Sequence, residues 1–171
     1  MKQLLIIALL LTTVMHSQSG FEIQLYQGAS DFNRQKIKVL RTHESFKGIT
    51  HIALGTERFT LDNDVIKYNA VGIDAEFGYA FTNFKAPIEL MPLLSYGWFV
   101  YDEGRWGKRL ILGLDLAYII SNNFKLHLLV NVGKENWMTA VDHDLGGITA
   151  TEYTDFTQNN NNVFIGISYN L

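Results

Sequence analysis

The side chains able to do chemistry in this 171-residue chain fall mostly on one parity of alternating segments. Glu22, His51, Glu57, Asp74, Glu76, Glu89, Arg109, Asp115, Lys125 and His127 occupy polar positions between apolar neighbours. Carboxylates and imidazoles gathered in one place could transfer protons or support hydrolysis. The same groups could instead form a structural plug, with each acid paired to Lys, Arg or His, because a bare buried charge is costly. The plug is the expected reading, and six acids against few certain bases predict that at least one carboxyl is hard to ionise. A serine nucleophile needs a histidine and an orienting acid. His127 and Ser168 fall on neighbouring segments and are the only catalytic candidates, neither of them assigned that role. Asp142-His143-Asp144, followed by Gly146-Gly147, offers donors to a divalent cation. It lacks the further oxygens and closing Glu of a calcium loop, so a solvated acidic loop is the expected reading. No cofactor is expected.

The elements that must position these residues show a period of two. Phe21 to Tyr26, Val71 to Tyr79, Leu110 to Tyr118, Phe124 to Gly133 and Val163 to Leu171 alternate apolar and polar side chains, and no stretch keeps a helical stripe over three turns. Gly48 to Arg58, Ile88 to Tyr101 and Gln35 to Thr42 complete a set of eight strands. Pro92 predicts an irregularity in the Ile88 strand. Short turns are expected at Glu44 to Lys47, Thr82 to Ala86 and Ser121 to Asn123. Longer loops are expected at Gly28 to Arg34, Phe59 to Lys67, Asp102 to Lys108 and Lys134 to Asn162. Long loops thus follow odd strands and short turns follow even ones, as in an up-and-down meander with all its long loops at one end.

Residues 1–19 read as a secretory signal peptide: Lys2, an apolar run from Leu4 to Val14, then Ser17-Gln18-Ser19 as the cleavage pattern. At 1.5 Å per residue that run covers about 16 Å, half the thickness a membrane anchor needs. The domain expected is 20–171. With 47% hydrophobic and only 18% charged residues, a heavily solvated surface is excluded. A net charge of −3 without a dense basic run excludes a nucleic-acid groove. The absence of Cys excludes disulfides, thiolate metal sites and a Cys nucleophile.

Alternation alone leaves open which face points inward. Small residues crowd the polar face (Gly72, Gly78, Ser95, Gly97, Gly113, Gly133, Gly166 and Ser168), as a narrow lumen requires. The apolar face of the best strands is nearly free of charge, where a mid-membrane Lys or Arg would cost about 2–4 kcal/mol. Aromatic residues gather at strand ends: Phe21, Tyr79, Phe81, Phe84, Tyr118, Phe124 and Tyr169 at one, Phe59, Tyr68, Trp98, Tyr101, Trp106 and Trp137 at the other. Two such girdles suit the two membrane–water boundaries. The apolar side is therefore expected to face lipid. A secreted soluble barrel of lipocalin type, with the apolar side inward around an apolar ligand, is the alternative.

A signal peptide, alternating strands and a last strand that ends with the chain resemble the small outer-membrane β-barrel proteins of Gram-negative bacteria. The closing residues Gly166-Ile167-Ser168-Tyr169-Asn170-Leu171 are similar to that family's C-terminal assembly signal, with Leu171 where the family usually has Phe. The resemblance implies an eight-stranded antiparallel transmembrane barrel inserted by the barrel-assembly machinery, with its long loops exposed at the surface. The partners it implies are outer-membrane lipid and lipopolysaccharide, and the expected state is a monomer. The role expected is structural or interactive, with a lumen too full for a general porin. A lipid-modifying enzyme is the second reading, although no His-x-Ser pairing of the lipid A deacylase kind occurs.

Overall fold

The computed structural model describes residues 20–29, 33–45, 48–62, 67–82, 86–102, 104–144, 146–147 and 149–171. The signal-peptide reading, and Phe84, lie outside these residues. Eight strands are described: β1 (Phe21–Gly28), β2 (Gln35–Ser45), β3 (Gly48–Asp62), β4 (Lys67–Phe81), β5 (Ile88–Tyr101), β6 (Arg105–Ile119), β7 (Phe124–Asp144) and β8 (Thr149–Asn170). Each pairs antiparallel with the next, and β1 pairs with β8, from Glu22↔Asn170 to Gly28↔Phe164, to close the ring. Closure satisfies backbone groups that an open sheet would leave at its edges. Among the described residues no helix is long and apolar enough to cross a membrane.

Side-chain direction follows the two-residue period. On β4, residues 70 to 80 alternate without a break: Ala70, Gly72, Asp74, Glu76, Gly78 and Ala80 are buried while the residues between them face out. Val71, Ile73 and Phe77 belong to the exposed set, Ile73 at 64%. Leu110, Leu112, Leu114 and Leu116 on β6, and Leu126, Leu128, Val130 and Val132 on β7, continue the outward apolar wall. Glu22, Lys36, Lys38, Asp74, Glu76, Arg109, Asp115 and Lys125 point the other way, into the barrel. This inverts a soluble barrel, so the lipocalin-type reading does not describe the molecule.

The sequence reading needs two corrections of element. β3, β4 and β6 run several residues further than their apolar alternation does, so residues 59–62, 67 and 105–108 of the two expected loops are strand. The Lys134 to Asn162 loop is a ribbon: β7 and β8 stay in register from Phe124↔Tyr169 up to Asp144↔Thr149. Its tip carries Gly146 and Gly147 at φ +78° and +97°, a left-handed pair that favours Gly and turns the chain tightly. The two glycines lie in the turn between Asp144 and Thr149. Pro92 keeps its register opposite Leu114 on the β6 side, while on the β4 side the pairing lapses between Gly78↔Leu93 and Phe81↔Leu90, the irregularity expected of a residue without an N–H.

Candidate functional site: the charged lumen and its two ends

Inside the barrel, side chains from all eight strands fill the space in layers. At the end where β1 begins and β8 stops, Lys125 Nζ lies 2.9 Å from both Glu22 Oε2 and Glu89 Oε2. His127 stands beside this group. Its Nδ1 is 3.0 Å from Asp115 Oδ2 and its Nε2 is 2.8 Å from Ser168 Oγ. The β7–β8 register places His127 opposite Gly166, two pairs from Lys125↔Ser168 and so on the same face, which lets the hydroxyl reach the ring. The structure thus brings the two catalytic candidates together and adds Asp115 as a third member.

Other contacts hold that Ser–His–Asp arrangement in place. Asp115 Oδ2 also accepts a 2.7 Å hydrogen bond from Tyr26 Oη, and Glu22 Oε1 lies 3.6 Å from His127 Nε2. The Tyr26 and His127 rings meet edge to face at 5.6 Å. The cavity next to them is about 10 Å³, bounded by Glu22, His51, Glu89, Met91 and Asp115 among others. That is the space of about one water molecule, not of an acyl substrate. Ser168 is buried, and its strand pairs on both sides, with β1 and with β7. His51 is buried in the same layer and neither ring nitrogen has a hydrogen-bond partner.

A second layer lies above an apolar belt of Leu93, Leu129, Met91 and Phe164. Arg109 is its hub: Nε and Nη2 donate to Asp74, and Nη1 lies 3.1 Å from Glu57 Oε2. Arg34 bridges Glu57 at 2.9 Å and Glu135 at 3.2 Å. Lys38 pairs with Glu76 at 2.6 Å, and Lys36 lies 3.3 Å from Asp74 and 3.5 Å from Glu76. Asn160 donates to Glu135 at 2.6 Å. Among the described residues seven buried carboxylates face five buried Lys and Arg side chains. The sequence reading missed Arg34, Lys36, Lys38 and Glu135. Lys36 and Lys38 carry the same inward parity as Leu40, but a strand marked only by Ile37 and Val39 gave little reason to trust that parity.

Above the charges sits an aromatic cap of Phe59, Leu61, Phe99, Tyr101 and Trp137, with Tyr68 and Phe156 packed on it. The Tyr101 hydroxyl donates to the Met138 carbonyl and accepts from the Met138 N–H. This corrects the girdle: Tyr101 and Trp137 are 2% and 3% exposed, and with Phe59 and Tyr68 they plug the lumen rather than face lipid. Tyr101 is three residues from outward-facing Trp98, so the pleat turns it inward. Trp98, Trp106, Phe81, Tyr118, Phe124 and Tyr169 do face outward, and Tyr79 is half-buried beside Phe81. Asp142 and His143 are consecutive in β7 and so point to opposite faces of the ribbon; Asp142 accepts from Thr151 and His143 meets Glu152. Among the described residues no three His, Asp or Glu side chains converge as a metal set.

No protein-family model matches the chain, and no curated protein matches it in sequence. Solved structures do match. A major outer membrane protein from Thermus thermophilus superimposes with a TM-score of 0.61 at 14% identity, covering 90% of this chain and 99% of that one. Ail, the attachment invasion locus protein of Yersinia pestis, gives a TM-score of 0.44 at 14% identity over 90% and 95% of the two chains. Neisserial surface protein A gives 0.42 at 10% identity over 88% and 93%. The Thermus likeness agrees with the geometry: the fold is the closed, up-and-down antiparallel β-barrel seen in outer-membrane proteins.

Proposed function

We propose that this protein spans a bacterial outer membrane as a monomeric, sealed barrel and presents its β7–β8 ribbon outside as an interaction surface. One observation carries the reading: the wall is apolar outward and charged inward. Leu, Ile, Val and Phe side chains stand 40–64% exposed around the ring, while Arg109, Lys36, Lys38 and Glu22 are almost fully buried. Water would penalise that wall, and hydrocarbon chains would cover it. Among the described residues, charged and aromatic side chains fill the lumen in layers, which supports contact over general diffusion as the role. Insertion by the barrel-assembly machinery and contact with lipopolysaccharide belong to this same proposal.

The ribbon supports the surface role. β6 stops pairing with β7 at Lys108↔Asn136, and β1 stops pairing with β8 at Gly28↔Phe164. Beyond those pairs the described strands of the hairpin pair only with each other, reaching about 25 Å further at strand rise, with Trp137, Met138 and Phe156 at their base tied to the aromatic cap. The protein refolded into detergent and run on a gel before and after boiling tests the barrel. A boiling-dependent shift, with no steady ion current across planar bilayers, is the expected result. Recovery in soluble form without detergent, or a porin-like current, overturns the reading.

A further inference from the structure

The outer wall of β6 and β7 holds two cations where the apolar band ends. Lys108 and Lys134 both face outward and are exposed. Leu110↔Lys134 and Lys108↔Asn136 are register pairs, so the lysines are diagonal neighbours on one face, with Cβ atoms about 7–8 Å apart. Stems of that length let both ammonium groups reach one anion. Among the described residues neither makes an ion pair. Below them the wall is Leu112, Leu114, Leu116, Val130 and Val132, all exposed and uncharged. A Lys deep in such a wall would be costly, but one at the boundary snorkels to the headgroup level at little cost.

The two lysines adjoin a recess. β6 and β7 part above Lys108↔Asn136 and open a cleft of about 530 Å³ lined by Arg105, Trp106, Lys108, Asn136, Asp155 and Thr157 among others. Trp106 is 65% exposed, and Trp98, paired with Lys108 across β5–β6, is 52% exposed. Thr157 donates to Asn136 Oδ1 at 3.0 Å, which aims the amide. Arg105 is partly engaged, 3.8 Å from Asp102 and stacked on Tyr153 at 5.3 Å. Paired cations suit a phosphate, an indole face suits a sugar ring, and an amide, a hydroxyl and Asp155 suit sugar hydroxyls.

We infer that Lys108 and Lys134, with Trp106 and the adjoining cleft, bind the phosphorylated sugar headgroup of a glycolipid in the surrounding leaflet. This rests on the membrane reading above, because only a lipid-covered wall brings headgroups to that level. A basic patch at the interface next to an apolar wall is the arrangement that recognises anionic headgroups.

The test uses the full-length folded barrel in mild detergent, with lipid retention read by native mass spectrometry. The probes are a diphosphorylated acyl-disaccharide, the same lipid after phosphatase treatment, and inorganic phosphate as competitor. Expected is retention of the phosphorylated lipid at least tenfold above the dephosphorylated one. That preference should disappear in the double variant Lys108→Gln/Lys134→Gln and persist in Arg58→Gln, an exposed cation on β3. Equal retention of both lipids, an unchanged double variant, or an equal loss in Arg58→Gln overturns the inference. So does displacement by inorganic phosphate at the lipid's own concentration, which would make the site one for free anion. A gel shift on boiling is scored in parallel: the shift without lipid preference sinks this site alone, and its absence sinks the membrane reading and this site with it.

Discussion

Arg109 on β6 grips Asp74 on β4 with both ends of its guanidinium fork, Nε to Oδ1 at 2.7 Å and Nη2 to Oδ2 at 2.6 Å, although β5 lies between them. The register explains how: Asp74 pairs with Gly97, and Gly97 pairs with Arg109. A strand intervenes, but no side chain does. A Cβ at Gly97 would run into Asp74 Oδ1 and the Ile73 carbonyl oxygen. One at Gly72 would come within 2.9 Å of Arg109 Nη2. Small residues on the lumen face are therefore the gaps through which charged side chains reach one another.

Removing the hub should be expensive. Arg109→Ala leaves Asp74 without its bidentate partner and takes a cation from Glu57 and Glu135, all of them buried. Breaking a buried pair on one side costs about 3–5 kcal/mol. Urea unfolding of the barrel from lipid vesicles should show a loss of that order, with a smaller loss for Arg109→Lys, which keeps charge and forfeits the fork. A variant as stable as the parent would mean that the lumen charges do not hold the barrel together.

Gly97→Ala should destabilise without removing any charged group. The added methyl must push the Asp74 carboxylate off the Arg109 fork or displace backbone, and overpacking of this kind costs about 1–3 kcal/mol. The same vesicle assay reads the change. In the double variant Gly97→Ala/Asp74→Ala the combined loss should fall short of the sum of the single losses, because the methyl no longer has a carboxylate to displace. Strict additivity would show that the glycine is present for some other reason.

The alternating register was legible in the sequence wherever apolar residues carried it, as on β4, β6 and the lower part of β7. It faded where the outward face turns polar. On β8 above Val163 the outward positions are Asn161, Asn159, Thr157 and Asp155, which read as loop although the backbone ladder continues. Parity was lost with the strand, so Trp137 and Glu135 could not be placed inside. Glycine carried the strongest unread signal: Gly146-Gly147 between two alternating runs is a hairpin turn as much as it is a loop. The Ser168–His127–Asp115 cluster was half visible, since neighbouring strands bring His127 near Ser168. That Asp115 orients the ring depends on β6–β7 pairing, which puts Ala117 opposite His127 and Asp115 one step along the same face.

The geometry of that cluster matches a nucleophile and base, while its surroundings match a packed hydrogen-bond network. Fluorophosphonate probes should therefore leave Ser168 unmodified in the folded barrel, as read by mass spectrometry of the intact protein. Ser168→Ala should cost about 1 kcal/mol, the usual net worth of one hydrogen bond, because His127 keeps Asp115. Covalent capture at Ser168 would reverse this assignment and put the lipid-modifying reading, so far the second, in first place.

The ribbon and the barrel should separate cleanly. Above Trp137↔Phe156 the described residues of β7 and β8 pair with one another and with no other strand, whereas Trp137 and Phe156 themselves pack at 4.9 Å into the aromatic cap. Replacing residues 139–154 with a two-residue Asn-Gly turn keeps the cap and removes the projection. The shortened chain should fold, shift on boiling and insert into vesicles as the parent does, since the lumen charges and the apolar wall are untouched. Arg105 would lose the Tyr153 ring it stacks on, a contact worth at most about 1 kcal/mol at an exposed site. Cutting back two residues further, so that Trp137 and Phe156 go as well, should be different: the cap opens above Arg109 and Glu135, water enters beside buried charges, and stability falls by about 3–5 kcal/mol for the lost indole alone. If both truncations behave alike in the vesicle unfolding assay, the cap does not seal the lumen, and planar-bilayer recordings on the shorter variant should then show no more current than the parent.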